Sequence, residues 1–145
     1  SLNKVGDVER DSGNLSAAAS AYRESLALGR QLRSQLGDTP QALRDLSVSL
    51  NKVGNVEREL GNLSEGLAAY RQSLGFLRQR WAMLGNTKPV LEELCNVLEK
   101  TIDLELRAGD PEIASSLQRE MGEIDAMLSV WRQGNGDAEE LLSND

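Results

Sequence analysis

Polar side chains follow one another at helical spacing in the middle of the chain. Asn51, Asn55 and Arg58 are separated by four and three residues, so on a helix they lie along one stripe. The amide of asparagine both donates to and accepts from a peptide backbone, and the guanidinium of arginine offers a planar fork to a carboxylate. Such a stripe is suited to binding a peptide that carries an acidic residue. The alternative is a set of solvated side chains on an exposed helix face, where most polar residues of helices are found.

Equivalent stripes occur at steps of 48 residues on either side of this one. The preceding stripe is similar, and the following one is acidic. Together the three stripes provide the candidate residues for binding a peptide or protein: Asn3, Asp7, Arg10, Asn51, Asn55, Arg58, Glu99 and Asp103. Lys4 and Lys52 each stand one position from an asparagine, about 100° around the helix. These two lysines either join the candidate residues in binding the peptide or point to water.

No set of residues has the composition of a common catalytic or metal site. The chain has no histidine and one cysteine, so the usual acid–base group and the usual zinc ligands are absent. Cys95 has no basic neighbour to activate it and is interpreted as a small buried side chain. Adjacent carboxylates such as Glu92-Glu93 and Glu139-Glu140 diverge on a helix and do not converge on a substrate. We therefore expect no enzymatic activity, no catalytic residue, no cofactor and no metal.

Charge is unevenly distributed along the chain. Residues 1–96 carry 12 basic and 11 acidic side chains, whereas residues 97–145 carry 4 and 12. An acidic final third repels a phosphate backbone, and there is neither a glycine-rich phosphate loop nor a basic stripe with aromatics, so nucleic-acid binding is not expected. No apolar run approaches the roughly 18 residues that span a membrane, and no leader sequence is apparent. The sequence predicts a cytoplasmic protein with no membrane partner.

The chain contains an internal repeat of 48 residues. Between residues 1–48 and 49–96, aligned without gaps, 25 of the 48 positions are identical. The same offset extends into a third, diverged unit at 97–132, followed by an acidic tail at 133–145 that is either flexible or a short helix. A continuous coiled coil is the alternative, but 48 is not a multiple of seven, and glycine-centred breaks occur in every unit.

Each unit is expected to contain two helices, because helix-forming residues fill the stretches between sparse glycines. The predicted helices cover residues 1–12, 15–36, 40–60, 63–84, 89–108 and 111–132. Gly13, Gly61 and Gly109 are expected to end helices in the left-handed conformation, and the asparagine or aspartate after each to cap the next helix. Gly6 and Gly54 interrupt good helices, which predicts that a neighbouring helix passes too close there for a Cβ atom.

The pattern of these units resembles the tetratricopeptide repeat. A Leu-Val-Gly pattern in the first helix and a Gly-Asn turn are followed by small and aromatic slots in the second helix. The residues that carry the resemblance are Leu2, Val5, Gly6, Ala18 and Tyr22 in the first unit and Leu50, Val53, Gly54, Gly66 and Tyr70 in the second. The long helices look most similar to the repeats of kinesin light chain. Thr101 and Ile102 depart from the pattern, so the third unit is interpreted as a cap.

The resemblance implies an all-α fold, a right-handed solenoid of antiparallel helix pairs forming one domain over residues 1–132. It also implies that the first helices line a concave face and hold a peptide or protein partner. Tyr22, Tyr70 and Phe76 are expected to be core wedges between pairs, with ligand stacking as the alternative. Two other functions stay open: a structural or regulatory spacer in a bacterial signalling protein with a separate effector domain, and a module that self-associates through its N-terminal face. Because Ser1 matches Ser49 inside a helix, we expect a fragment of a longer array.

Overall fold

The computed structural model describes the backbone of residues 1–143 and the side chains of residues 1–134. Over this range the chain is helical, with short connections and no strand. The helices are α1 (Leu2–Asp11), α2 (Leu15–Leu36), α3 (Pro40–Glu59), α4 (Leu63–Leu84), α5 (Lys88–Ala108) and α6 (Pro111–Ser143). The all-α prediction is confirmed, and the first five helices lie within two residues of their predicted bounds. The sixth begins where expected and continues past 132 to Ser143, while the side chains of the acidic tail from 135 onward lie outside the described residues.

Glycines with positive φ close four of the connections between helices. Gly13 and Gly61 have φ values of +82° and +86°, as the repeat predicts, and Gly37 and Gly85 have values of +83° and +76°. The prediction is wrong for Gly109, whose φ is −122°. The reason is that α5 continues one residue further than α1 and α3, so Gly109 is the first residue after its helix and not the second.

The predicted caps form at two of the three expected positions. Asn14 Oδ1 accepts a hydrogen bond from the backbone N–H of Ala17 at 3.3 Å, and Asp110 Oδ1 accepts from the N–H of Glu112 at 2.9 Å. Asn62 makes no such cap. Its amide nitrogen donates instead to Glu57 Oε2 at 2.8 Å. The third capping prediction is therefore wrong, because a buried carboxylate competes for the asparagine side chain.

Two tyrosines anchor the core, each beneath a glycine of the preceding helix. Tyr22 and Tyr70 are 1% and 0% exposed. A Cβ atom at Gly6 or at Gly54 would lie 2.6 Å from Cδ1 of the tyrosine below it, a distance that real Cβ atoms do not show. The prediction that these glycines permit a close helix crossing is confirmed, and so is the prediction that the tyrosines are core wedges.

Each helix packs mainly against the helix before it and the helix after it in sequence. The apolar stripe of α3 is buried in this way. Leu43, Leu46, Leu50 and Val56 are all 2% exposed or less. Among the described residues, no helix is both long enough and apolar enough to cross a membrane.

Candidate binding surface on helices α1, α3 and α5

Polar side chains connect the odd-numbered helices to one another. Four residue pairs form hydrogen bonds from α1 to α3 or from α3 to α5 at the level of the predicted stripes. They are Lys52 Nζ to Asp7 Oδ1 at 2.7 Å, Asn3 Nδ2 to Ser49 Oγ at 3.4 Å, Arg10 Nε to Glu59 Oε1 at 2.8 Å, and Lys100 Nζ to Asn51 Oδ1 at 3.2 Å. The stripes of neighbouring units therefore lie on one shared surface. We call this face of α1, α3 and α5, which carries the three predicted stripes, the odd-helix surface.

The residues of the first stripe are largely occupied by internal partners. Asp7 accepts hydrogen bonds from Lys52 and from the hydroxyl of Tyr22 at 2.6 Å. Burial alone would raise the pKa of the Asp7 carboxyl, but these two hydrogen bonds and the charge of Lys52 hold it below its usual value. Arg10 donates from Nε to Glu59 at 2.8 Å. Asn3 Oδ1 is shielded from solvent and has no hydrogen-bond partner among the described residues.

The Asp7–Lys52 pair predicts a pH-dependent stability that Asp7→Asn removes. A carboxyl whose pKa is lowered by folding contributes stability above its unfolded pKa, near 3.8, and loses it as pH falls through the folded value. At neutral pH we expect the variant to be less stable by at most about 1 kcal/mol, because the pair is partly exposed. Thermal unfolding at pH 7 and at pH 2 checks this, and a difference between the proteins that persists unchanged at pH 2 would contradict it.

Asn55 is buried, unlike Asn51 and Arg58 of the same stripe. It is 8% exposed, and its Oδ1 accepts a hydrogen bond from the hydroxyl of Tyr70 at 2.6 Å. Burial raises the pKa of Tyr70 to about 12, so the phenol stays protonated and keeps donating. Asn55 thus positions the tyrosine in the core, as Asp7 does for Tyr22. Asn51 and Arg58 are partly exposed.

Arg58, Glu99 and Asp103, three of the predicted residues, line one hollow of about 400 Å³ between α3 and α5, together with Asn96 and Lys100. Neither Arg58 nor Lys100 forms an ion pair with a described side chain, although the guanidinium of Arg58 lies 6.0 Å from the ring centre of Tyr70. Burial lowers the pKa of Lys100, and the nearby charge of Arg58 lowers it further. Arg58 and Lys100 therefore share the hollow with Glu99 and Asp103, but neither cation forms an ion pair with these or other described side chains.

No protein-family model and no curated protein matches the chain.

Sequence reasoning found part of the hollow and missed part of it. Lys100 stands 48 residues after Lys52 and 96 after Lys4, so the repeat offset alone singles it out as a third lysine at the same position. Asn96 had no such signal, because its equivalent one unit earlier is Val48. The offset also did not reveal that Asn55 is buried, since its burial depends on the tyrosine fifteen residues later.

Cys95 has the environment of a structural thiol. It is partly buried, and its Sγ lies 3.5 Å from Asp125 Oδ1. Burial raises its pKa to about 11, and the hydrogen bond to Asp125 and its charge act in the same direction. The thiol is therefore protonated at neutral pH and weakly nucleophilic.

Proposed function

We propose that the chain is a protein–protein interaction module that holds a peptide of a partner protein on its odd-helix surface. The proposal includes the finer architecture implied by the resemblance, a tetratricopeptide-like right-handed solenoid of 48-residue units whose concave face is this surface. The 25 identical positions shared by the first two units and the packing of each helix against its sequence neighbours support such an array. The third unit then closes the array with α6 and contributes Lys100 of α5 to the surface.

The observation that carries the proposal is the pair of cations in the hollow between α3 and α5. A partly buried lysine with a lowered pKa binds a carboxylate more favourably than a solvated lysine does, because its desolvation cost is already present in the free protein. Arg58 offers the planar fork that suits a carboxylate. A glutamate or aspartate of the partner peptide would lie between the two cations.

The remaining polar groups fit the backbone of the same peptide. Asn96 lines the hollow beside the cations, and Asn51 lines an adjoining cleft of about 250 Å³. The amide of Asn96 can donate to a peptide carbonyl and accept from a peptide N–H, and the amide nitrogen of Asn51, whose oxygen accepts from Lys100, can donate to a carbonyl. Glu99 and Asp103 line the same hollow from α5, and there they disfavour a second acidic residue of the ligand. We therefore propose a peptide with one acidic residue flanked by neutral or basic ones.

Charge reversal at Arg58 tests the proposal. A display library of random octapeptides is selected on the chain, and a binder with one acidic residue is compared with its Glu→Gln or Asp→Asn version. Arg58→Glu and Lys100→Glu are each expected to lower the affinity for the acidic peptide by tenfold or more, about 1.4 kcal/mol. The reason is that repulsion replaces a charge-assisted hydrogen bond. Calorimetric titration gives the dissociation constants.

Arg119→Glu is the matched control, since it makes the same charge change on the exposed face of α6. It is expected to bind the peptide as the parent chain does. Circular dichroism must show that all three variants keep the parent helicity. Selection of peptides without acidic residues, or equal affinity of the parent and Arg58→Glu, would contradict the proposal.

A further inference from the structure

Polar side chains hold α1 against α3 in three places on the odd-helix surface. In each place a donor on one helix meets an acceptor on the other. We call this contact the first layer, and the contact between α3 and α5 at the positions 48 residues later the second layer. The links of the first layer are Asn3 to Ser49, Lys52 to Asp7, and Arg10 to Glu59.

The second layer keeps the three donors of the first layer and replaces the three acceptors. The donors at the equivalent positions are Asn51, Lys100 and Arg58. The residues that replace Ser49, Asp7 and Glu59 are Val97, Asn55 and Arg107. Valine has no side-chain acceptor, asparagine carries no charge, and arginine is itself a donor. The second layer therefore lacks both carboxylates that close the first.

The side chains of the second layer have correspondingly different contacts. Lys100 Nζ donates to the neutral oxygen of Asn51 at 3.2 Å and not to a carboxylate. Arg107 donates to Asp103 on its own helix at 3.3 Å. Arg58 and Lys100 both line the hollow of about 400 Å³ between α3 and α5. The hollow thus lies at the place where the two carboxylates are missing.

The charges of the two layers differ in the same way. The links of the first layer contain two cations and two carboxylates, so that layer is neutral. The equivalent positions of the second layer hold three cations, Arg58, Lys100 and Arg107, and no carboxylate. Glu99 and Asp103, which also line the hollow, offset two of these charges. One positive charge is left, and a single carboxylate of a ligand neutralises it.

Asn55 keeps one function of Asp7 and loses the other. Asp7 accepts from the tyrosine fifteen residues later at 2.6 Å and from Lys52 at 2.7 Å. Asn55 also accepts from the tyrosine fifteen residues later, again at 2.6 Å. As an amide, however, it provides no charge for Lys100. Asparagine at this position therefore keeps the tyrosine in place and leaves the lysine without a carboxylate.

We propose that Asn55 and Arg107 determine the preference of the hollow for an acidic ligand, because they withhold from the second layer the two carboxylates that close the first. The inference rests on the proposed function, the binding of a peptide with one acidic residue. The carboxylate of that residue takes the place of the missing ones. Asn55 acts through Lys100 and Arg107 through Arg58, so both are positioning residues that need not touch the peptide.

Restoring the missing carboxylates tests this inference. Asn55→Asp and Arg107→Glu each supply the residue type that the first layer has at the equivalent position. The probes are the acidic octapeptide selected on the parent chain and its version with glutamine or asparagine. Each variant is expected to lower the affinity for the acidic peptide by tenfold or more, since the new carboxylate competes for the same cation. Affinity for the neutral version is expected to stay at its parent value, whereas damage to the fold would weaken both peptides.

Two exposed positions on α6 provide matched controls. Gln118→Glu adds the same charge as Asn55→Asp, and Arg119→Glu makes the same change as Arg107→Glu. Both are expected to bind the two peptides as the parent chain does. Arg107 is exposed, so its replacement tests the inference even if Asn55→Asp does not fold.

A measurement without ligand tests the link between Asn55 and Lys100. Titration of the lysine ε-methylene signals by ¹H–¹³C NMR gives the pKa of Lys100. Asn55→Asp is expected to raise this pKa, because a nearby carboxylate favours the charged ammonium. Gln118→Glu is expected to leave it unchanged. An unchanged pKa in Asn55→Asp would overturn the role given to Asn55.

The peptide results separate this inference from the proposed function. If the parent chain binds the acidic peptide and its neutral version equally well, the proposed function fails and the inference fails with it. If the parent distinguishes the two peptides, and Asn55→Asp and Arg107→Glu distinguish them to the same degree, only the inference is overturned.

Discussion

Replacing Arg71 by methionine is expected to lower the free energy of unfolding by about 3 kcal/mol. Arg71 on α4 forms an ion pair with Glu105 on α5, whose side chain is 0% exposed. Glu105 Oε2 has no hydrogen-bond partner in the part of the chain with described side chains. Methionine keeps the aliphatic length of arginine but leaves a buried carboxylate without its cation. The half-exposed position of Arg71 places the expected loss at the lower end of the range for broken buried pairs.

The equivalent pair one unit earlier provides a matched control. Arg23 on α2 binds Glu57 on α3 at 2.8 Å, and Glu57 is 6% exposed. Here the second carboxylate oxygen accepts from Asn62 at 2.8 Å. Asp110 stands at the position of Asn62 in the third unit and has no amide to donate. Arg23→Met is therefore expected to cost less than Arg71→Met, about 1–2 kcal/mol, because Glu57 keeps one hydrogen bond.

Urea unfolding monitored by circular dichroism measures both losses. Adding Glu105→Gln to Arg71→Met is expected to restore part of the stability, since an uncharged amide is less costly to bury than an unpaired carboxylate. A cost of Arg23→Met equal to or above that of Arg71→Met would contradict the role given to Asn62. Failure of Glu105→Gln to restore stability would show that lost packing, and not charge, causes the effect.

The helices were predictable because their ends are marked by residue types with local effects. A glycine able to take positive φ and a capping residue act within one turn, so they can be read without knowledge of the neighbouring helices. The two errors at helix ends have different causes. α5 is one residue longer than α3, which makes Gly109 the first residue after its helix, and the side chain of Asn62 binds the buried carboxylate of Glu57. Such a contact depends on how two helices pack, which the local pattern does not contain.

The sequence predicts which face of the helix carries the candidate residues, but not which of those residues are exposed. Helical spacing places Asn51, Asn55 and Arg58 on one side of α3, but it does not say which of them the next helix covers. Asn55 is covered because Gly54 lets the ring of Tyr70 come close, and the tyrosine hydroxyl then needs an acceptor. Arg58 stays at the surface one turn later. Whether Asn55 is available to a ligand or forms a hydrogen bond in the core therefore depends on the position of Tyr70 and not on helical spacing.

Gly54→Ala is expected to lower the free energy of unfolding by about 1–2 kcal/mol, although alanine is the better helix former. The added Cβ would lie 2.6 Å from Cδ1 of Tyr70. The ring cannot move aside easily, because it is fully buried and its hydroxyl is held by Asn55 on the same helix as the glycine. The cost of overpacking, about 1–3 kcal/mol or more, outweighs the roughly 1 kcal/mol gained in helix propensity.

Gly75→Ala separates the two contributions. Gly75 lies inside α4, has no positive φ, and no atom lies within 4 Å of the Cβ that would be added. Only the propensity gain remains there, so this variant is expected to be more stable than the parent by about 0.5–1 kcal/mol. Urea unfolding of the two single variants should move in opposite directions. If Gly54→Ala is also stabilising, the close approach of Tyr70 does not limit residue size at position 54, and the reason given for a glycine in the middle of α3 is wrong.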